Sequence, residues 1–348
     1  MSLYSVLFGK NRQFWVVMRS PCRKCDNRIR GHECCFLICA YRLTHSGKIS
    51  KKKLIFREKP GKRQFMLKWT IRKLGILELI QSGVTCFSDM YFYMGEVAKV
   101  VEESGIKACL SGVLLEVSDL GPTFMKAAVD FHDSWHGKAG GRIKVFFGPH
   151  SMYLCGPEYL RETTEEALKR KTRIHIHLSE SRQEVADSLE KYGKSPVQHL
   201  ADLGLFECLT AAAHCVHLSV EDIELLRKHK VSVLNNPTSN LKLANGFAPV
   251  EELLKKGVNV ALGTDGSASN NNVNLFEEMH LAALVNKAIN DNTESVPAQQ
   301  VLRMATINGA KALGLEKEIG SLEVGKRADL ILLDANKPHY FPRHNPVS

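Results

Sequence analysis

The 348-residue sequence contains no apolar run long enough to cross a lipid bilayer. Its longest apolar stretches, such as residues 34–41, fall far short of the roughly 18 residues that a membrane-spanning helix needs. Lys10 and Arg12 interrupt the amino-terminal stretch in which a secretory signal would place its apolar core. We therefore expect a cytoplasmic protein.

The composition shows none of the extremes that mark non-globular proteins. With 44% hydrophobic, 24% charged and 7% aromatic residues, it excludes disordered, collagen-like and disulfide-rich classes. The length predicts one large domain or two ordinary ones at roughly 150 residues per domain. Five of the ten cysteines lie in the first 40 residues and the others stand singly in apolar stretches, which favours unpaired thiols in a reducing compartment.

Acidic residues are scarce in the first 73 residues, which contain only Asp26, Glu33 and Glu58 against 19 lysines and arginines. This segment therefore carries a charge of +16, and the rest of the chain carries −6. It shows no sustained period of 2 or 3.6 residues, so the pattern assigns it no fold.

The basic segment leaves open one alternative from a different functional class. Its cysteines and a histidine are candidate ligands of a small zinc knuckle beside a lysine-rich arm, which would make the chain a nucleic-acid-binding protein. The candidate ligands are Cys22, Cys25, His32 and either Cys34 or Cys35. Their spacing is irregular, so we regard a nucleic-acid partner as the weaker hypothesis.

From about Arg72 onward, short β-branched runs alternate with amphipathic helical stretches, which predicts repeated βα units. The predicted strands are Val84–Phe87, Ile106–Leu115, Ile143–Phe147, Arg173–Leu178, Leu209–Ala213, Val231–Leu234 and Val258–Gly263. The predicted helices include Pro157–Lys171, Glu221–His229 with Ser219 as its N-cap, and Pro297–Leu313. A last apolar strand is predicted at Leu330–Leu333.

Nearly every predicted strand ends in a polar residue. These residues are Asp89, His150, His177 with Glu180, His214, Asn235 with Asn236, and Asp265. In a parallel (β/α) barrel the carboxyl ends of the strands form the catalytic face, so residues far apart in sequence meet in one pocket. The pattern therefore predicts an active site at these positions.

The residue types at this face are suited to metal-assisted hydrolysis. His177 and Glu180 supply an imidazole and a carboxylate that are both able to face one pocket, and both are suitable Zn²⁺ ligands. A carboxylate that is not a ligand is able to transfer protons to and from metal-bound water. Asp265 ends an apolar strand, where its charge would be costly without a cation or hydrogen bonds. The spacing of His175 and His177 on one face of a strand would allow both to bind a metal, but for His175 a place in the barrel interior or a contact that supports a ligand is the favoured interpretation.

Six motifs give the chain a specific family resemblance. They are residues 83–91, 148–151, 177–180, 213–217, 236–243 and 263–266. With them, residues from about 74 to 346 closely resemble the amidohydrolase superfamily, within it the ATZ/TRZ-type aminohydrolases, and most closely the branch that deaminates 5′-methylthioadenosine and S-adenosylhomocysteine. The resemblance implies an α/β fold, a (β/α)₈ barrel of TIM type, whose first strand is missing or replaced here.

The resemblance also divides the chain and assigns roles. Residues 1–73 form a basic unmatched segment, 74–318 the barrel, and 319–348 the start of a truncated carboxyl-terminal small β-domain. It implies one Zn²⁺ or other divalent metal ion per chain, held by His177 and Asp265. Asp265 would also take a proton from the attacking water, Glu180 would protonate the substrate ring, His214 would orient the water, and His150 would contact the substrate.

The family's first strand carries two further metal ligands in a His-x-His motif, and residues 1–82 contain no such pair. We therefore expect weak metal binding and slow or absent turnover. The expected partner is a small nucleoside or heterocycle, with a homo-oligomer left open. Guanine deamination and triazine hydrolysis are the alternatives within the superfamily, and an inactive scaffold is the alternative outside enzymes.

Overall fold

The computed structural model describes the backbone of residues 3–8, 13–19, 38–43, 49–54 and 62–71, and it describes residues 72–116, 120–334, 336–338 and 347 completely. The chain divides into two compact units, residues 1–70 and 71–348. No helix in these described ranges is both long and apolar enough to cross a membrane.

The first unit contains a four-stranded antiparallel sheet, which the sequence pattern did not predict. Its strands, in sheet order, are β1 (Leu3–Phe8), β2 (Gln13–Arg19), β3 (Ile38–Leu43) and β4 (Ile49–Leu54). The strands are too short to establish a period, and the lysine run inside β4 resembles a solvated charge run. The five candidate zinc-knuckle residues lie outside the described residues, so the nucleic-acid alternative stays a prediction.

The second unit alternates strands and helices as the sequence predicts, and all seven predicted strands are confirmed. The helix α1 (Lys62–Gln81) crosses the boundary between the units. The following elements are β5 (Cys86–Tyr91), α2 (Met94–Ser104), β6 (Lys107–Leu114), α3 (Gly121–Trp135), β7 (Ile143–Pro149), α4 (Pro157–Lys169), β8 (Ile174–Leu178), α5 (Arg182–Tyr192), α6 (Pro196–Asp202), β9 (Thr210–His214), α7 (Val220–Lys228), β10 (Ser232–Asn235), α8 (Pro237–Lys242), α9 (Val250–Lys255), β11 (Asn259–Leu262), α10 (Ser267–Asn270), α11 (Leu275–Ile289), α12 (Ala298–Ala305) and α13 (Ile307–Leu313).

The seven strands form one parallel sheet in the order β11-β10-β9-β8-β7-β6-β5. Ser88 on β5 lies 3.5 Å from His175 on β8, measured from Oγ to Nδ1. A flat sheet would separate strands three places apart by roughly 14 Å, so this contact requires a strongly curled sheet. The result is the predicted barrel-like α/β fold, in which no pairing joins β5 to β11 within the described residues.

Alternation along β8 separates the apolar core from the site. Ile174, Ile176 and Leu178 are fully buried and belong to the core between the sheet and its surrounding helices. Successive residues of a strand point to opposite faces, so His175 and His177 point into the interior of the curled sheet. The predicted interior position of His175 agrees with its contact to Ser88.

The predicted cap of α7 is present, whereas two carboxyl-terminal predictions are wrong. Ser219 accepts a hydrogen bond from the Asp222 backbone, and the Asp222 side chain completes the capping box. The predicted helix 297–313 is two helices, because the chain breaks at Thr306 with φ −122° and ψ −96°. Residues 330–333 do not form the predicted strand, since no described strand lies beside them to pair with their backbone.

Candidate active site

Five residues selected from the sequence lie at the carboxyl ends of four strands. His150 directly follows β7, His177 lies within β8, and His214 is the last residue of β9. Glu180 and Asp265 follow β8 and β11 by two and three residues. Because these strands are parallel, all five lie at the same edge of the curled sheet.

The histidines stack side by side along this edge. The ring of His177 lies 4.4 Å from that of His150 and 5.5 Å from that of His214, measured between ring centroids. The His175 ring is 6.2 Å from the same ring. The structure thus brings together four imidazoles from three consecutive strands.

Hydrogen bonding fixes the orientation of His177. Its Nδ1 lies 2.9 Å from the backbone oxygen of His150. A carbonyl oxygen only accepts, so Nδ1 carries the proton and donates it, and Nε2 retains a lone pair. A metal-ligating histidine usually has this arrangement, with one ring nitrogen on a backbone carbonyl and the other available to the ion.

Burial keeps most of these imidazoles neutral. It lowers the pKa of His150 to about 4 and that of His175 to about 3. Burial also lowers the pKa of His177, although the nearby carboxylates of Glu180 and Asp265 oppose this shift. Neutral imidazole is the form that binds metals and accepts protons.

The carboxylate of Glu180 is held between two polar partners. Its Oε1 accepts a hydrogen bond of 2.9 Å from Asn245 Nδ2, and its Oε2 lies 3.8 Å from His214 Nε2. The Asn245 contact therefore leaves Oε2 as the oxygen that faces the histidines. Asn245 lies between α8 and α9, and neither its spacing nor its residue type pointed to this contact.

The carboxylate of Asp265 accepts several hydrogen bonds from protein groups although it is largely buried. Its Oδ2 accepts hydrogen bonds from Ser239 at 2.6 Å and Ser269 at 2.7 Å, and its Oδ1 accepts one from the Gly266 backbone at 2.6 Å. Burial acts to raise the pKa of Asp265, but these donors and the nearby His214 outweigh it, so the pKa is lowered. The carboxylate stays ionised and ready to accept a proton or a cation.

Four non-glycine residues at this edge of the sheet have left-handed backbone conformations. Ser179, His214, Cys215 and Asp265 have φ values of 49°, 71°, 49° and 58°. A non-glycine residue in the left-handed region carries a cost of about 1–3 kcal/mol, and such residues concentrate at functional sites. Their grouping at the strand ends supports the assignment of this edge as the site.

The buried Glu184 on α5 organises the turn that carries Glu180. Its carboxylate accepts hydrogen bonds from the backbone nitrogens of Glu180 at 2.7 Å and Ser179 at 3.0 Å. Sequence reasoning missed this residue, which lies in the first turn of α5 three residues after the N-cap Ser181. An acidic residue at that position was the one available signal.

Replacing Glu184 by glutamine is expected to alter the pH dependence of stability. Burial raises the pKa of Glu184 from 4.5 to about 7, so the folded state retains a proton that the unfolded chain releases. The resulting stabilisation is complete below pH 4.5 and is lost as the pH rises to about 7. Between pH 4.5 and 8, the free energy of unfolding of the original chain should fall by roughly 3 kcal/mol relative to that of Glu184→Gln. Urea unfolding of both proteins measures this difference, and parallel stability curves would contradict it.

The described residues do not form a complete metal site. No three His, Cys, Asp or Glu side chains in the described part of the chain group closely enough to hold an ion. Catalytic zinc normally has three protein ligands, whereas His177 and Asp265 would provide two. The residues present therefore do not fit a tightly held zinc ion by themselves.

Comparison with known proteins identifies the family. The chain is 57% identical over 277 residues to a 5-methylthioadenosine/S-adenosylhomocysteine deaminase of Caldanaerobacter subterraneus subsp. tengcongensis. The aligned region covers 79% of this chain and 64% of the relative. The chain is 51% identical over 271 residues to a 5'-deoxyadenosine deaminase of Methanosarcina acetivorans, over 77% of this chain and 62% of that protein. It thus spans less than two thirds of the length of these relatives.

A solved structure and a family profile complete the comparison. The adenosine deaminase of Xanthomonas campestris, crystallised with bound zinc, superposes with a TM-score of 0.77 at 34% identity, over 81% of this chain and 65% of that one. The resemblance that the motifs predicted is confirmed. The profile of the Amidohydrolase family matches residues 65–347, most of the sequence, and the chain therefore belongs to the amidohydrolase family.

Proposed function

We propose that this chain catalyses the hydrolytic deamination of an adenine nucleoside such as 5′-methylthioadenosine or S-adenosylhomocysteine. The observation that carries the proposal is the convergence of Glu180, His214 and Asp265 at one edge of the parallel sheet. The names of the relatives supply the substrate class, since two of them are deaminases of adenine nucleosides. Because the chain covers only part of their length, the activity of the whole protein is a proposal.

The three residues divide the chemistry into separate proton transfers. Water attacks the ring carbon that bears the amino group, and the ionised Asp265 takes the proton that the water releases. Glu180 donates a proton to the adjacent ring nitrogen. The attack of water moves an electron pair onto this nitrogen, and the proton prevents a negative charge from forming there. His214 hydrogen-bonds the attacking oxygen and orients it. The proton on Asp265 then passes to the amino group, and the carbon–nitrogen bond breaks to release ammonia. The remaining hydroxyl proton returns to Glu180 as the ring carbonyl forms, which restores the acid.

His150 is proposed to contact the substrate. Its ring packs edge-on against Tyr153, with the ring centroids 5.9 Å apart, and Tyr153 is half exposed. Its Nδ1 lies 3.1 Å from Ser151 Oγ, which holds the ring in place. Because burial keeps this imidazole neutral, it offers a hydrogen bond without adding charge beside the substrate.

The cofactor is proposed to be zinc, as in the solved relative from Xanthomonas campestris. From this chain His177 and Asp265 would hold it, and bound zinc lowers the pKa of a coordinated water to about 7. Because the described residues offer two donors, we expect weak zinc binding and slow turnover.

An ammonia-release assay tests the proposed function. The purified chain is supplied with zinc and given 5′-methylthioadenosine, S-adenosylhomocysteine, guanine or an amino-substituted triazine in separate reactions. We expect slow release from the two adenine nucleosides, none from the other compounds, and loss of release when a chelator removes the metal. Release from guanine or the triazine alone would replace the proposed substrate class. Folded protein that releases no ammonia from any substrate would favour an inactive scaffold.

A further inference from the structure

We propose that Asn240 is a positioning residue that holds the ring proton of His214 on Nδ1. Asn240 lies on α8, the short helix after β10, and its Oδ1 is 2.8 Å from His214 Nδ1. An amide oxygen only accepts hydrogen bonds, so the ring nitrogen that faces it must carry the proton. A neutral imidazole has one N–H, and Nε2 is therefore left with a lone pair.

The other nitrogen of His214 faces the acid of the proposed mechanism. Nε2 lies 3.8 Å from Glu180 Oε2, on the opposite side of the ring from Asn240. In the neutral ring, Nε2 accepts a hydrogen bond from the attacking water. The hydrogen bond from Nδ1–H to Asn240 thus determines that the unprotonated nitrogen of His214 faces the water and Glu180.

The opposite amide orientation would not leave a lone pair on Nε2. It would place the amide nitrogen of Asn240 against Nδ1, which would then have to accept a hydrogen bond. The only ring proton of His214 would move to Nε2, which would then be unable to accept a hydrogen bond from the attacking water. The orientation observed is therefore the one that leaves Nε2 able to accept this hydrogen bond.

Asn240 is rigidly held in this orientation. The residue is 1% exposed, its backbone nitrogen donates to the Asn236 backbone oxygen at 3.0 Å, and its backbone oxygen accepts from the Asn245 backbone nitrogen at 2.8 Å. Its Nδ2 atom is buried without a partner among the protein groups that the structure describes. Nδ2 is left unpaired because the other end of the same amide, Oδ1, faces His214.

The catalytic part of this inference rests on the proposed function, because it assigns Nε2 of His214 to the attacking water. The tautomer itself does not depend on turnover. A spectroscopic measurement of the tautomer and an assay of turnover therefore separate a failure of the inference from a failure of the proposed function.

Nitrogen-15 NMR of the histidine rings tests the inference directly. Long-range proton–nitrogen correlations on the labelled full chain at pH 8 distinguish a protonated from an unprotonated ring nitrogen, and the peaks that His214→Gln removes assign His214. We expect Nδ1–H in the original chain. Asn240→Ala removes the acceptor, and Asn240→Leu removes it while filling most of the space that asparagine occupies. In both variants the ratio of the Nδ1–H form to the Nε2–H form should fall about fivefold, which is the equivalent of a net hydrogen bond of about 1 kcal/mol.

Two further variants make the test specific. Asn240→Asp keeps an acceptor and should retain the Nδ1–H form. Asn286→Ala is a matched control, since Asn286 is another buried asparagine whose amide donates to Ala282 within α11 and forms no hydrogen bond to His214 in the part of the chain that the structure describes. It should leave the His214 signals unchanged. An Nε2–H form in the original chain, an unchanged ratio in both Asn240→Ala and Asn240→Leu, or an equal change in Asn286→Ala would overturn the inference.

Discussion

A chain in which the family's first strand, with its His-x-His pair, replaces residues 1–73 is expected to bind zinc at least about 100-fold more tightly than the present chain. The donors proposed within the described residues are His177 and Asp265, which do not amount to a group of three ligands, and the added pair would bring the set to four. Changes in groups that merely support the ligands alter metal affinity 10–100-fold, so two new ligands should contribute at least the upper value. Competition with a coloured chelator measures the zinc dissociation constants of both chains.

The matched control for this graft is the same strand with both histidines replaced by alanine. It provides the same strand but no new donors, so it should leave zinc affinity near that of the present chain. Equal affinities for the two grafted chains would show that the added histidines do not reach His177 and Asp265, and would contradict the proposed metal site. Tight zinc binding by the present chain would contradict it as well.

The strands of the second unit were predictable because their apolar runs are short, β-branched and separated by helical stretches. The position of the site followed from the same pattern, since His150, His177, His214 and Asp265 each come at or just after the end of a run. The cap of α7 was equally visible, because Ser219 and Asp222 have the spacing of a capping box. These features depend on residues close together in sequence.

The features that the sequence did not reveal depend on contacts between distant residues. Asn245 contacts Glu180 from 65 positions away, and Asn240 contacts His214 across 26 positions. An asparagine by itself, whether in a loop as Asn245 or on a short helix as Asn240, gives no sign of the side chain that it will meet, because asparagine is also common in turns. The break at Thr306 was hidden for a related reason, since the apolar period continues through it while the backbone changes direction.

Replacing Glu180 by glutamine is expected to lower the turnover number for 5′-methylthioadenosine at least about 100-fold while leaving bound zinc unchanged. Glutamine has nearly the same shape, and its amide oxygen is still able to accept the hydrogen bond from Asn245. It has no proton to give to the substrate ring, and general acid catalysis contributes about 10²–10⁴-fold to a rate. Ammonia release and zinc content are measured together on the zinc-loaded grafted chain.

His177→Ala provides the contrasting result in the same protein. Because His177 turns an unprotonated Nε2 toward the site, its removal should lose the metal and the activity together. Glu180→Gln should lose activity alone, because Glu180 is assigned to proton transfer and its Oε2 faces His214. A Glu180→Gln protein that kept normal turnover would exclude Glu180 as the acid. One that lost zinc as His177→Ala does would instead place Glu180 among the metal ligands.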